Sequence, residues 1–125
     1  MANRAYHRVQ SLAREVKSLY AYVSIGSSGA PTLNANKSLG VASITRDSAG
    51  VYIVTLQDKY SALLHMDVMQ LQATAQNLTF QVEAESVASA KTIQFQCKAA
   101  ATETDPTSGS VLLIKIDVKN SSVTR

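Results

Sequence analysis

The sequence predicts a mainly β protein: a β-sandwich or jelly-roll-like domain of about seven short strands, preceded by an N-terminal amphipathic α-helix. Three observations carry this. Three segments in the second half alternate apolar and polar residues with period two, as strands with one dry and one wet face do. Residues 41–46 and 51–57 face each other across a short Gly-containing connection, a hairpin signal. Residues 3–20 instead repeat their apolar positions at spacings of three and four, the period of a helix.

In chain order, the helix comes first. Ala5, Val9, Leu12, Val16 and Leu19 share one arc with Tyr6, Ala13 and Tyr20, while Arg4, His7, Arg8, Arg14, Glu15 and Lys17 fill the other side. Two roles fit it equally: covering one end of the domain's own sheet, or docking on a partner or sister subunit. Residues 19–25 read as the helix end or as a first strand. Residues 26–40, rich in Gly, Ser, Asn and small side chains, form a loop or arm, long for a compact domain and plausible for binding. The division is thus 1–25 helix and lead-in, 26–40 arm and 41–125 sheet, within one domain.

From Val41 every signal is strand. Asp47-Ser48-Ala49-Gly50 closes the hairpin, with Gly50 free to take a left-handed conformation. Leu64, Met66 and Val68 alternate, and the phase flips at Met69 and Leu71, which predicts a bulge or a change of sheet. Clean alternation follows in Leu78–Phe80–Val82–Ala84, Ile93–Phe95–Cys97 and Leu112–Ile114–Ile116–Val118. The expected core is Ile44, Val54, Leu56, Phe80, Val82, Ile93, Phe95, Ile114 and Ile116.

Composition narrows the function. With 125 residues there is room for one domain, and 46% hydrophobic residues argue against general disorder. Only 17% are charged, below the usual quarter, which suits a sheet protein that meets partners over much of its surface. The net charge of +3 sits entirely in the first twenty residues, where Arg4, Arg8, Arg14 and Lys17 oppose Glu15. Those cations interrupt any signal-peptide stretch, and no apolar run approaches the ~18 residues of a membrane span. A soluble protein made in the cytoplasm is expected, with no membrane or nucleic-acid partner. Phe80 and Phe95 fall on the apolar phase, away from any base-stacking face.

Catalytic material is sparse. Cys97 is the sole cysteine and shares a face with Ile93 and Phe95, so it reads as a small core residue. His7 reads as a solvated side chain. His65 and Asp67 share a strand face, but a positioned base needs a third group, and a surface pair is the simpler reading. Glu83 with Glu85, and Glu103 near Asp105, are too dispersed for a calcium loop. No enzyme activity, cofactor or metal is expected.

One stretch carries a resemblance: GVASITRDSAGVYIVTLQDKYSALL over 40–64, with VASAKTI at 87–93 and VKNSSV at 118–123. It is similar to small virion proteins of tailed bacteriophages, the capsid decoration or cement proteins and related head proteins. The resemblance covers about 40–123 and rests on hairpin, strand and turn motifs; the charged N-terminal helix departs from it. It implies a β-sandwich on the outside of an icosahedral head that bridges major capsid subunits, usually as a trimer or dimer. On that reading the contact residues are Arg4, Arg8, Leu12, Arg14, Val16 and Lys17 of the helix with Pro31 and Leu33 of the arm, and a trimer is favoured. The alternative is a virion fibre or adhesion module that binds a host-surface glycan through Tyr52 or Tyr60.

Overall fold

Nine strands in two antiparallel sheets make up residues 16–120, the part of the chain that the computed structural model describes. They are β1 (Val16–Ile25), β2 (Pro31–Leu33), β3 (Val41–Ser48), β4 (Val51–Leu56), β5 (Ala62–Leu71), β6 (Leu78–Ser86), β7 (Thr92–Ala99), β8 (Thr102–Glu103) and β9 (Val111–Lys119). One sheet has the order β2-β1-β9-β5. The other runs β3-β4-β7-β6, with β8 continuing beside β7. The strands beyond the expected seven include the two shortest, β2 and β8.

The two cleanest alternating segments lie in the middle of the sheets. β9 turns Leu112, Ile114, Ile116 and Val118 inward, all essentially inaccessible, and β7 does the same with Ile93, Phe95 and Cys97. The register aligns Ile116 with Leu19, Ile114 with Ala21 and Leu112 with Val23. In the facing sheet, Tyr52 lies opposite Phe95 and Val54 opposite Ile93. These inner rows merge into one core, so the sheets face each other in a sandwich-like arrangement. Tyr52 and Phe95 stack with ring centroids 5.6 Å apart. Each fully buried aliphatic side chain contributes about 1.5–3 kcal/mol.

The expected helix over 3–20 is corrected where it can be seen. Residues 16–20 open β1, a ten-residue strand between β2 and β9, and there is no α-helix among the described residues. The rest of that helix, with Arg4, Arg8, Leu12 and Arg14, lies outside them. The helical spacing of Val16 and Leu19 competes with a period-two pattern, Leu19, Ala21, Val23 and Ile25, set between Tyr20, Tyr22 and Ser24. Nine residue pairs with β9 decide for strand. The 26–40 arm is likewise not a plain loop: it holds β2 between two 3-10 turns, Ser27–Gly29 and Ala35–Lys37, and Leu33 packs on the core.

Two smaller corrections concern phase. The register shift in β5 falls between Leu63 and His65, not at Met69. Met66 and Val68 therefore point inward, and Met69 and Leu71 stay outside, 67% and 53% exposed. In β6 a shift between Val82 and Ala84 separates Glu83 from Glu85, which do not share a face. Phe80 and Val82 pack against the core but are only partly buried, because β6 is an edge strand.

Candidate docking surface

One end of the sandwich is pinned by a carboxylate. Asp105 accepts two hydrogen bonds from the Arg46 guanidinium (Nε to Oδ1 3.0 Å, Nη2 to Oδ2 2.8 Å) and one from the Gly50 N–H (2.8 Å). Tyr52 Oη donates to the Gly29 carbonyl at 2.8 Å and lies 3.3 Å from Asp105 Oδ1. Burial alone would raise the Asp105 pKa, but the Arg46 and Gly50 bonds outweigh it and hold the carboxyl below its ordinary value. The constellation ties the β3–β4 turn, the Ser27–Gly29 turn and the loop between β8 and β9 together. Every polar atom of the carboxylate is spoken for, which is the pattern of a structural latch. Gly50 is required there: φ is +73°, and a Cβ would sit 2.6 Å from the Cys97 carbonyl oxygen.

The other residues singled out for chemistry are placed as follows. Cys97 is fully buried, and burial, then the nearby Asp105 charge, pushes its thiol up to about 12. His65 Nε2 and Asp67 Oδ1 are 3.7 Å apart on the open outer face of β5, with both side chains more than half exposed. Glu83 and Glu103 meet Gln96: with its amide nitrogen turned toward the acids, Gln96 donates to Glu103 Oε1 at 3.0 Å and Glu83 Oε1 at 3.1 Å. Glu85 instead accepts from the Val87 N–H. No three metal-ligating side chains cluster among the described residues. Tyr52 and Tyr60, the expected glycan platforms, are both buried, so neither offers a ring face to a sugar.

The outer faces of the two sheets differ sharply. That of the β3-β4-β7-β6 sheet carries the polar Thr45, Gln94, Lys98 and Glu83 around Ile53, with Gln96 buried between Glu83 and Glu103. That of the β2-β1-β9-β5 sheet is divided across its strands. The cross-strand rows Ser18–Asp117–His65 and Tyr20–Lys115–Asp67 are polar apart from Tyr20. Ser18 Oγ donates to Asp117 Oδ1 at 2.7 Å, and Lys115 Nζ lies 4.0 Å from Asp117 Oδ2. The next rows, Tyr22–Leu113–Met69 and Ser24–Val111–Leu71, are apolar except for Ser24. Leu39 joins this side by bridging to Tyr20. Tyr20, Leu39, Met69, Leu71 and Leu113 are between 39% and 67% exposed. A shallow groove of about 310 Å³ runs between Tyr20, Tyr22, Met69 and Leu113. Lys37 lies over the Tyr22 ring, 4.5 Å from its centroid, at the rim. Clustered exposed apolar side chains with a charged border make this half-face a candidate interaction surface.

The expected contact residues do not assemble into such a patch. Arg4, Arg8, Leu12 and Arg14 lie outside the described residues. Val16 and Lys17 open β1, whereas Pro31 and Leu33 pair with Ile25 and Val23 at its other end. The two groups are about 20–30 Å apart at ~3.3 Å per residue. Val16 is exposed, but Leu33 spends its side chain on the core. Of the residues missed, Tyr20, Leu39, Met69, Leu71 and Leu113, the last left a legible signal: an apolar residue on the wet phase of the alternating strand Leu112–Val118. No protein-family model, curated protein or solved structure matches this chain.

Proposed function

We propose that this chain is a non-enzymatic structural protein of a tailed-bacteriophage virion. It binds the outer surface of the capsid through the apolar half-face of the β2-β1-β9-β5 sheet and stabilises the shell by bridging major capsid subunits. The observation that carries the reading is the half-face itself: Tyr20, Met69, Leu71 and Leu113 exposed together on one sheet, with Leu39 bridging to Tyr20 at its border. The virion setting comes from the resemblance over 40–123. The mechanism is mass action. A protein that binds only the assembled shell lowers the free energy of that shell by its binding free energy, multiplied over many copies. The site of action is the capsid exterior, after synthesis in the host cytoplasm.

The test is co-sedimentation with empty heads. The intact chain should pellet with heads, and Leu113→Asp should weaken binding at least about tenfold, as loss of a central apolar anchor does. A chain beginning at Val16 keeps all nine strands and separates the sheet from the basic segment with Arg4, Arg8 and Arg14. If Leu113→Asp binds normally and the shortened chain does not, the contact belongs to the N-terminal segment rather than the sheet. If the intact chain ignores heads altogether, the virion reading fails.

A further inference from the structure

The two sheets have four edges, and three are guarded against pairing. β2 is three residues long and begins with Pro31, which has no N–H to donate. β3 is interrupted by two register shifts, at Val41/Ser43 and Arg46/Ser48, and carries Arg46 and Asp47. β6 is interrupted at Val82/Ala84 and carries Glu83 and Glu85. β5 is the exception. It is ten residues long and pairs only with β9 among the described residues. Its single register shift lies near its start and leaves 65–71 regular, with Asp67 the one acid. Beside this edge the sandwich gapes: a slot of about 180 Å³ between β5 and β6 is lined by Met66, Val68, Phe80 and Val82, all only partly buried.

We propose that the β5 edge is where two copies of this chain pair, antiparallel about a two-fold axis at Val68, forming one eight-stranded sheet. The occupant is a second copy because the edge is complementary to itself. Val68 is the midpoint of the regular run, so a two-fold there uses all seven residues. It sets Asp67 against Met69 of the second copy, Met66 against Gln70 and His65 against Leu71. No acid faces an acid, whereas an axis at Asp67 would oppose the two carboxylates directly. Odd positions pair with odd, so both outer faces stay on one side. The pairing satisfies backbone groups that the free edge leaves to water, and each closed two-fold contact is made from one self-complementary strand. The proposal does not depend on the shell reading, since it concerns the protein alone in solution.

Sedimentation of the intact chain should show a concentration-dependent shift from 13.4 kDa toward twice that mass. Met69→Glu sets an acid against Asp67 of the second copy at two symmetric places and should weaken the dimer roughly tenfold, whereas Met69→Lys sets opposite charges there and should retain it. Both changes fall at a 67% exposed position, so both variants should fold. Under mild oxidation Val68→Cys should give a disulfide-linked dimer, because directly opposed Cα atoms lie about 4.5–5.5 Å apart, within disulfide reach. Met66→Cys should not, its two copies being about 13 Å apart along the strands. A chain that stays monomeric at every concentration overturns the proposal. So does a dimer lost equally in Met69→Glu and Met69→Lys, which would place the contact on the apolar face, or cross-linking at 66 as readily as at 68.

Discussion

Replacing Asp105 should expose how much of the fold hangs on one carboxylate. In Asp105→Ala, the Gly50 N–H loses its acceptor at a buried turn, an orphaned donor that costs about 1–3 kcal/mol. The Arg46 pair adds less, because both side chains retain solvent contact and water screens the pair. Tyr52 keeps its bond to the Gly29 carbonyl and adds little. The total is about 1–3 kcal/mol, or a fall in Tm of about 4–12 °C for a domain of this size. Asp105→Asn retains an oxygen for Gly50 and should lose only about 1 kcal/mol. The loss must also depend on pH. The folded carboxyl titrates below its unfolded value near 4, so its contribution is complete above that value and disappears as pH falls through the lower folded one. Urea unfolding followed by circular dichroism at pH 7 and at pH 2–3 measures both effects. The gap between wild type and Asp105→Ala should shrink in acid. An Ala variant as stable as wild type at pH 7, or a gap unchanged in acid, would refute the latch.

Three further outcomes follow from the packing. Phe95→Ala removes a fully buried ring stacked on Tyr52 and should cost about 3–5 kcal/mol in the same unfolding assay. Gly50→Ala forces a Cβ onto the Cys97 carbonyl at positive φ and should cost at least about 2 kcal/mol, despite being the smallest possible change. Cys97 should react with a thiol reagent only through unfolding, so its labelling rate should rise with urea in step with the unfolded fraction; rapid labelling of the native protein would contradict its burial.

Much of the sheet structure was legible in the chain because alternation is a local signal. Leu112–Val118 and Ile93–Cys97 face inward as their period-two pattern requires, and Gly50 takes the left-handed conformation that its hairpin needs. The same local logic misread residues 16–20, where helical and strand periods overlap. Only a partner strand almost a hundred residues away resolves them, through the pairing of Lys17 with Val118 and Leu19 with Ile116. The candidate surface shows the same division. That Met69, Leu71 and Leu113 are apolar is written in the sequence. That Met69 and Leu71 face outward depends on a one-residue register shift at Leu63/His65, and that they adjoin Leu113 and Tyr22 depends on β9 lying between β5 and β1. Asp105 is likewise an ordinary acid in the sequence, near Glu103 at a turn; 59 residues separate it from the Arg46 that defines its role. Alternation in the chain was enough to place most strands from β3 onward and the dry side of β7 and β9, because it is a property of a strand's own backbone; it did not place β1 or β2. Which strands are neighbours, which edges stay open and where the exposed apolar residues gather follow instead from pairing between segments far apart in the chain, and the folded molecule alone displays them.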